Sequence, residues 1–432
     1  MIEKSPMNSE ENNTSPLLKD VIIIGAGISG LSAAHYLQKQ GKTVQIIESE
    51  PKVGGRICTE EKEGYLLDRG FQVFLPQYPE AKAILDYDKL NLKPFLPGSK
   101  LLLADGSNTY IGDPMRNFSN LSNILFNTPI AYGDLWRLFM LTRRLKNKTI
   151  LEIFEQPDAS TINTLQNEYK FGKSIINNFL QPFFAGIFLE NKLESSRRMF
   201  DFVFKMFSEG LACVPNEGMQ AIPNQLAEKI GSENITLNEE VIEIKGGIVF
   251  CRSGKRFEAR TVLLASQANA IAKNYYFNIK KHYSSVCHFH YTSDQLPFSE
   301  KAIALNTNST KFVNNLCVID QIAPGYSKNN EHLISLTIVD EKGLNSSELD
   351  KRIRGELTQW FGNVVNDWTL LDAKKIVYAL PNQNDVKNNI RSENIKLSDQ
   401  LYICGDHLLN GSMNAAIKSG RLAARTIVKN LK

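Results

Sequence analysis

The sequence contains few cysteines and no concentration of charge of one sign. Six cysteines among 432 residues stand at scattered positions, without a C-x-x-C pair. The 50 Lys and Arg against 46 Asp and Glu leave a net charge of +4, with no dense basic segment. These absences exclude a zinc knuckle and a disulfide-stapled mini-protein, and they predict a reducing compartment, the cytoplasm. Nucleic acid is not expected as a partner, because phosphate recognition needs a concentrated basic surface.

Long hydrophobic runs are also scarce. The one extended apolar stretch, Val21 to Leu37, is shorter than the roughly 20 residues that a bilayer requires and is interrupted by Gly, Ser and His. The composition, 42% hydrophobic and 22% charged, is typical of a globular protein. Residues 1–18 are polar and are predicted to form a disordered leader.

The apolar stretch is better explained as the start of a βαβ unit. A β-branched run, Val21 to Ile24, predicts a strand buried on both faces, and the segment Gly25-Ala26-Gly27-Ile28-Ser29-Gly30 follows at once. Residues 31–40 have helical periodicity, and a second apolar strand over 44–47 ends at Glu48. Strand, G-x-G-x-x-G, helix, strand and acid in this order predict a dinucleotide-binding, Rossmann-like α/β fold.

Each characteristic position of the βαβ unit has a structural role in binding a dinucleotide. Gly25 permits the tight turn, Gly27 lets a pyrophosphate approach the backbone, and Gly30 lets the helix pack closely on the strand. The helix N-terminus offers unpaired N–H groups and a partial positive charge to the phosphates. Glu48 can accept hydrogen bonds from both hydroxyls of an adenosine ribose, which disfavours a 2′-phosphate.

Later motifs indicate which dinucleotide binds. Gly54-Gly55-Arg56 follows the acid closely, and the segment Leu67-Asp-Arg-Gly-Phe-Gln-Val-Phe74 comes next. The segment 214–227 contains Pro215, Gly218 and Met219, and near the C-terminus Leu401-Tyr-Ile-Cys-Gly-Asp406 precedes a helix that opens at 411–414. In this order, the motifs resemble those of the flavin-containing amine oxidase and carotenoid (phytoene) desaturase superfamily, from about residue 19 to the C-terminus.

The resemblance implies a glutathione-reductase-type FAD-binding domain, with FAD held non-covalently because no cysteine lies near 412. It places Glu48 and the first glycines at the ADP half, Arg56 at the pyrophosphate and Val241 at the adenine. It also places Gly70 to Gln72 beside the isoalloxazine. The cofactor-binding residues that it implies are Gly25, Ala26, Gly27, Ser29, Gly30, Glu48, Ser49, Gly54, Gly55, Arg56, Gly70, Phe71, Gln72, Val241, Gly405, Asp406, Met413 and Asn414.

At the C-terminal motif, the resemblance implies that Asp406 bonds the ribityl chain or a nearby phosphate, and that Met413 and Asn414 lie at the pyrimidine edge of the flavin. The N-terminus of the helix beginning there would stabilise the negative charge that a reduced flavin gathers.

The superfamily interleaves two domains. The implied FAD-binding domain comprises 19–95, 210–270 and 391–432, and an α+β substrate-binding domain comprises 96–209 and 271–390. Apolar residues at helical spacing, among them Leu121, Ile124 and Leu125, predict that 116–208 is mostly helical. The runs 283–291 and 332–340 predict strands of a sheet over the flavin face.

The chain departs from amine oxidases of the superfamily at two positions. The strand that best matches theirs, residues 282–291, contains no lysine to lie near flavin N5, and Ser412 stands where one ring of their aromatic cage is found. We therefore favour removal of a hydride from an apolar, isoprenoid- or carotenoid-like, or other small organic substrate. The alternatives are an amine oxidase with an altered active site, and a prenyl-binding escort of the GDP-dissociation-inhibitor type without redox chemistry.

Two further features have competing interpretations. His288 and His290 fall on one face of a strand, but no third ligand accompanies them, so no metal is predicted and the pair is a candidate lining of the substrate cavity. Residues 180–189 and 121–145 are apolar, and the latter carry Trp136 with Arg137, Arg143 and Arg144. They are either the helical core of the substrate domain or a cationic apolar surface that contacts a membrane.

Overall fold

The computed structural model describes residues 18–112, 130–267, 270–276, 282–340 and 343–431. Residues 1–17 of the predicted leader therefore lie outside the described residues. So do Leu121, Ile124 and Leu125 of the segment predicted to be helical.

A seven-stranded sheet carries the dinucleotide-binding unit. Its centre is parallel and runs β12-β1-β2-β9, with β18 beside β12, while β10 and β11 extend it antiparallel. The β-branched run of β1 is buried on both faces, as predicted. The strands of this sheet are β1 (Lys19–Ile24), β2 (Val44–Ile47), β9 (Ile235–Thr236), β10 (Val241–Lys245), β11 (Ile248–Cys251), β12 (Arg256–Leu264) and β18 (Leu401–Ile403).

A second seven-stranded sheet has the order β17-β13-β16-β15-β14-β6-β7 and is antiparallel except at the β14–β6 pair. Both strands predicted for 283–291 and 332–340 belong to it, which confirms them. Its strands are β6 (Gly98–Leu102), β7 (Asn108–Gly112), β13 (Tyr283–Ser293), β14 (Ile303–Asn306), β15 (Asn315–Val318), β16 (His332–Ile338) and β17 (Thr369–Pro381).

Two short antiparallel pairs complete the described strands. β3 (Thr59–Lys62) pairs with β4 (Tyr65–Asp68), and β5 (Leu92–Pro94) pairs with β8 (Cys213–Pro215).

The helices cover the sheets and fill the predicted helical region. Their N-termini show local capping: Ser412 Oγ accepts from Ala415 N at 3.0 Å, and Asn345 forms a capping box with Glu348. The α-helices are α1 (Ile28–Gln38), α2 (Pro79–Ile84), α3 (Tyr132–Lys146), α4 (Ile150–Glu155), α5 (Thr161–Asn163), α6 (Lys173–Ile175), α7 (Gln181–Phe188), α8 (Arg197–Glu209), α9 (Ala221–Ile230), α10 (Ile319–Ile322), α11 (Ser346–Phe361) and α12 (Met413–Asn430).

Helices α5 and α6 continue as π-helical turns over Thr164–Glu168 and Ile176–Leu180, so the prediction of helix within 116–208 is confirmed for the residues described. Among the described residues, none of the helices combines the length and the apolar character needed to cross a bilayer. The α/β fold class is confirmed, and α12 extends further than the predicted helix opening because its inner face remains buried as far as Ile427.

Candidate active site

The glycine turn after β1 is shaped for close backbone approach. A Cβ at Gly30 would lie 2.1 Å from Gly25 O, so only glycine lets α1 begin directly against the turn. A Cβ at Gly27 would meet nothing within 4 Å, so this position faces open space. Helix α1 starts after Gly27 without a side-chain cap and without an acid in its first turn. Its first N–H groups are therefore available to an anionic ligand.

Glu48 is held in place at the carboxyl end of β2. Its Oε2 accepts from Ala26 N at 2.6 Å, and its Oε1 accepts from Glu50 N at 2.9 Å and from Ser49 Oγ at 3.1 Å. These hydrogen bonds fix the carboxylate beside the glycine turn, at the edge where parallel strands place ligand-binding residues.

The second glycine pair lies against the first. Gly54 N donates to Ala26 O at 2.8 Å, and Gly54 and Gly27 form an isolated bridge. Arg56 Nη2 donates to Asp406 Oδ1 at 2.6 Å, and its Nη1 donates to Ala379 O at 3.2 Å. The Asp406 side chain is 7% exposed and that of Arg56 29%, so the pair brings the N-terminal and C-terminal motifs together in a largely dehydrated place.

The segment Gly70–Gln72 leaves β4 and lies against the second sheet. A Cβ at Gly70 would lie 2.9 Å from Ile376 Cδ1 of β17, and Gly70 has a φ of +90°. Gln72 Nε2 donates to Arg56 O at 2.9 Å and to Arg69 O at 2.8 Å. These contacts hold the segment between the Arg56–Asp406 pair and the sheet.

Asp68, at the end of β4, joins three parts of the chain. Its Oδ1 accepts from Thr59 Oγ1 at 2.5 Å and from Met219 N at 3.1 Å, and its Oδ2 accepts from Tyr326 Oη at 2.6 Å. Burial raises the pKa of Asp68 to about 6, although the hydrogen bonds oppose this effect.

Except for Asp68, these features surround one cavity of about 1120 Å³. Fifteen of the eighteen predicted cofactor-binding residues line it, and Ala26, Gly30 and Asn414 do not. Ala26 and Gly30 shape the turn from behind, as described above. Asn414 Oδ1 accepts from Glu80 N at 3.1 Å, so its side chain is engaged with α2 rather than directed into the cavity. The predicted residues in the lining are Gly25, Gly27, Ser29, Glu48, Ser49, Gly54, Gly55, Arg56, Gly70, Phe71, Gln72, Val241, Gly405, Asp406 and Met413.

Beyond Gly70–Gln72, the cavity continues between α7, α8 and the second sheet. We call this part the apolar end. The individual residues that line it were not predicted from the sequence. The spacing of Met199, Val203 and Phe207 along α8 is a signal for one inward face, whereas nothing in the sequence marks Asn315 and Thr337. The apolar end is lined by Phe183, Ile187, Met199, Val203, Phe207, Val286, Ile303, Leu305, Asn315 and Thr337.

Charged groups are concentrated at the other end of the cavity, which we call the nucleotide end. Of the described lysines, Lys273 alone lines the cavity, and it belongs to a turn whose Tyr275 Oη accepts from Ile244 N of β10 at 2.8 Å. The charged side chains in the lining are Glu48, Glu50, Arg56, Arg69, Glu239, Glu240, Arg252, Lys273 and Asp406.

The two predicted strand histidines contact each other, with 3.2 Å between their Nε2 atoms. Neither ring lines the large cavity, contrary to one of the two interpretations, because the Gly70–Gln72 segment packs beside His290. Within the described residues, no group of three or more His, Cys, Asp or Glu side chains is arranged to hold a metal ion.

The residues of the nucleotide end fit FAD. The open space at Gly27, the uncapped start of α1 and the fixed Glu48 carboxylate suit a pyrophosphate and a ribose, and the cavity continues past Arg56 to the Gly70–Gln72 segment. All six cysteines are buried and free, and Cys404 lies within the core rather than in the cavity lining.

The profile of the flavin containing amine oxidoreductases matches residues 28–428. The chain belongs to this family. By family it is a flavin-dependent oxidoreductase, and the predicted superfamily, enzyme class and flavin cofactor, FAD, are confirmed.

Three curated relatives align over shorter stretches. Tobacco (Nicotiana tabacum) mitochondrial protoporphyrinogen oxidase is 26% identical over 182 residues, 42% of this chain and 34% of that protein. Coproporphyrinogen III oxidase of Bacillus subtilis is 40% identical over 179 residues, 39% of this chain and 37% of that protein. The 4,4′-diapolycopene oxygenase of Methylomonas sp is 36% identical over 108 residues, 23% of this chain and 20% of that protein. The first two alignments span about a third of those relatives' length.

Solved structures show the same fold over nearly the whole chain. Wild-type putrescine oxidase bound to putrescine superimposes with a TM-score of 0.65, covering 95% of this chain and 99% of that one, at 17% identity. Reduced UDP-galactopyranose mutase gives a TM-score of 0.65, covering 96% and 94%, at 15% identity.

Proposed function

We propose that this enzyme removes a hydride from a large, mainly apolar organic substrate bound at the apolar end, with FAD at the nucleotide end. The observation that carries this proposal is the division of one cavity into a charged part and a part lined by aliphatic and aromatic side chains. A substrate without charge recovers hydrophobic free energy there, whereas a cationic one would lose its hydration without a partner.

FAD, when bound, supplies an acceptor for a hydride and its two electrons. In our proposal, the glycine turn and Glu48 hold the ADP half, Arg56 contacts the pyrophosphate, and Val241 contacts the adenine. The Gly70–Gln72 segment supports the isoalloxazine, and the N-terminus of α12 offers N–H groups to its pyrimidine edge. The remaining task of the protein is to orient an apolar substrate and exclude water, which the α7 and α8 side chains perform.

The substrates for which these relatives are named favour the same substrate class. Porphyrinogens and diapolycopene are large conjugated or potentially conjugated molecules, unlike small polyamines. The alternative of an amine oxidase with an altered site also has a relative in support, putrescine oxidase of Kocuria rosea, 36% identical over 99 residues. The apolar end speaks against it because none of the described residues that line it has an acidic side chain to hold an ammonium group. The escort alternative loses support with the family assignment.

The test is anaerobic reduction of the bound flavin, followed as loss of its visible absorbance. The donors are coproporphyrinogen III, protoporphyrinogen, 4,4′-diapolycopene and putrescine, each at the same concentration. We expect reduction by at least one of the first three donors, each of which has a large apolar macrocycle or polyene body, and none by putrescine. Reduction by putrescine alone would establish the amine oxidase instead, and a purified protein that takes up no FAD would exclude both.

We propose, in addition, that the surface of α3 contacts anionic membranes from the cytoplasm. Trp136 is 63% exposed on this helix, Tyr132 and Met140 are also exposed, and Arg143 lies one turn further on. Helix α3 packs on α8, where Lys205 Nζ donates to Leu145 O at 3.1 Å. The proposed membrane surface is thus one helix away from the apolar end, a suitable place for collecting a lipid-like substrate.

Vesicle sedimentation tests this contact. We expect the protein to sediment with vesicles containing phosphatidylserine, and the double variant Trp136→Ser, Arg143→Ser to remain in the supernatant. The matched control is Leu151→Ser, an exposed apolar residue on α4. Equal sedimentation of wild type and double variant would refute the contact.

We also propose the domain division predicted above. It is supported by the strands: those of the first sheet all fall within 19–95, 210–270 and 391–432, and those of the second within 96–209 and 271–390.

A further inference from the structure

A row of polar side chains crosses the second sheet from the apolar end of the cavity toward the surface. In the antiparallel register, Asn315 of β15 is opposite Thr337 of β16, Thr337 is opposite His288 of β13, and His288 is opposite Lys374 of β17. Residues directly opposite each other share one face of a sheet. Asn315 and Thr337 line the cavity, so the row begins where the proposed substrate binds.

The neighbouring row consists of Ser335, His290 and Asp372. Together, the side chains of the two rows form a nearly continuous chain of polar contacts. Thr337 Oγ1 lies 3.5 Å from His288 Nδ1, and His288 Nε2 lies 3.2 Å from His290 Nε2. Ser335 Oγ is 3.1 Å from His288 Nε2. His290 Nδ1 is 4.0 Å from Asp372 Oδ2, so this one step requires a small approach of the ring or a bridging water.

The outer end of the chain reaches solvent. Asp372 Oδ2 lies 3.7 Å from Lys374 Nζ, and Lys374 Nζ lies 2.5 Å from Glu60 Oε2 of β3. The Asp372 side chain is 17% exposed and that of Glu60 43%. A proton that reaches Asp372 can therefore leave to bulk water.

Both rings are buried, and the groups around them keep them neutral. Burial, with Lys374 adding to its effect, lowers the pKa of His288 to about 3 and that of His290 well below its usual value. The charged and titratable groups that face the rings are Asp372 and Lys374 from β17, Cys317 from β15, and Asp68 and Tyr326 across a small cavity beside His290.

A neutral imidazole has one N–H donor and one acceptor nitrogen, and the Thr337 hydroxyl can donate to an unprotonated His288 Nδ1. In that tautomer, which the proposal requires, the His288 proton is on Nε2. His290 Nε2 is then the acceptor, and its Nδ1–H is directed toward Asp372. All three donors therefore point outward along the chain.

We propose that Thr337, His288 and His290 form a proton exit that carries the proton released during substrate oxidation from the apolar end to Asp372. This inference rests on the proposed function. A substrate that is desaturated loses a hydride, with both electrons, and one proton. The hydride goes to the flavin, and among the described residues that line the apolar end no titratable side chain is present to take the proton.

The transfer leaves no charge on the histidines. Thr337 Oγ1 takes the substrate proton as its own hydroxyl proton moves to His288 Nδ1. The Nε2 proton of His288 moves to His290, and the Nδ1 proton of His290 moves to Asp372. One proton has then been removed from the cavity. The starting tautomers return after Asp372 has released its proton and the product has left. One proton from bulk water then enters at Asp372, the same steps run in reverse, and Thr337 passes its hydroxyl proton to water in the emptied cavity, so the reset moves a proton only from water to water.

The first experiment tests the arrangement without turnover. In ¹⁵N-histidine-labelled, FAD-loaded protein, we expect the NMR signals of an unprotonated Nδ1 on His288 and an unprotonated Nε2 on His290, unchanged between about pH 5 and pH 9. Thr337→Val should shift the Nδ1 signal of His288. The matched control Thr292→Val, a buried threonine on the same strand as the histidines, should not. A protonated His288 Nδ1, or a ring that titrates in this range, overturns the proposal.

The second experiment measures anaerobic flavin reduction by coproporphyrinogen III in the same variants. We expect Thr337→Val to slow reduction on the order of a hundredfold, as loss of a proton-transfer group does. Thr337→Ser, which keeps the hydroxyl, should restore a rate close to that of wild type. Equal rates for Thr337→Val and Thr292→Val overturn the exit. If coproporphyrinogen III fails to reduce the wild-type flavin, the proposed function fails for that donor, and the proton exit is judged on the NMR result alone.

Discussion

The two ends of the cavity are built in different ways. At the nucleotide end, the glycine turn, the uncapped N-terminus of α1 and the Gly54–Gly27 contact leave room for a ligand, and charged side chains surround that room. At the apolar end, side chains from α7, α8 and the second sheet provide the surface. The comparison teaches that glycines make the room for a dinucleotide by having no side chain, whereas the room for the substrate is shaped by side chains from α7, α8 and the second sheet.

The largest effects are expected at the glycines of the nucleotide end. Gly30→Val would place a side chain 2.1 Å from Gly25 O, so we expect loss of the folded flavoprotein. Gly27→Ala has room in the protein itself but occupies the space meant for the ligand, so the apoprotein should keep its Tm and lose FAD affinity. Thermal unfolding and FAD titration measure the two effects. If the Gly27→Ala protein binds FAD with normal affinity, the nucleotide end does not depend on the room left at Gly27.

The second prediction concerns Asp68, which lies beside the cavity and joins Thr59, Met219 and Tyr326. Its pKa is about 6 in the folded protein because of burial, against 3.8 ordinarily, so the folded state binds this proton more tightly than the unfolded chain. The stability that this proton contributes, about 3 kcal/mol, is present below about pH 4 and lost as the pH rises through 6. Asp68→Asn should remove that dependence in urea unfolding at several pH values. Asp88→Asn, at an exposed position, is the control and should leave it unchanged.

The third prediction asks whether the positive charge of Arg56, rather than the shape of its side chain, is what the nucleotide end requires. Arg56→Met would leave the nearly buried Asp406 without its cation, so we expect a loss of about 2 kcal/mol in stability and weaker FAD binding. Arg56→Lys, which keeps the charge, should lose less. Equal stability of the Met variant and wild type would show that Asp406 does not need its partner.

The smallest effect is expected at the apolar end. Ile187→Gln should leave FAD binding unchanged and raise the KM for an apolar donor by roughly fivefold, because about 1 kcal/mol of hydrophobic burial is lost. Leu151→Gln, on the exposed face of α4, should change neither quantity. A lower FAD affinity for Ile187→Gln would mean that the two ends are not independent.

The nucleotide end was predictable because its residues act locally. Gly25, Gly27, Gly30 and Glu48 stand within 24 residues of each other, and the backbone between them has few ways to fold. Asn414 shows the limit of transferring a residue's role from the superfamily to this chain. Its position at the start of α12 was predicted, but its side chain accepts a hydrogen bond from α2. Which way a side chain points depends on the neighbour that offers a better partner.

The sequence by itself determined the βαβ unit, since this unit rests on local periodicity and on a glycine turn. The FAD motifs and the interleaved order of segments came from the resemblance to the superfamily, and the order of segments stays a prediction. Only the tertiary structure decided the Arg56–Asp406 pair, the lining of the apolar end and the path from Thr337 to Asp372. Thr337 and His288 are 49 residues apart in the chain. Strand register alone makes them neighbours, and no local pattern encodes register between strands so far apart.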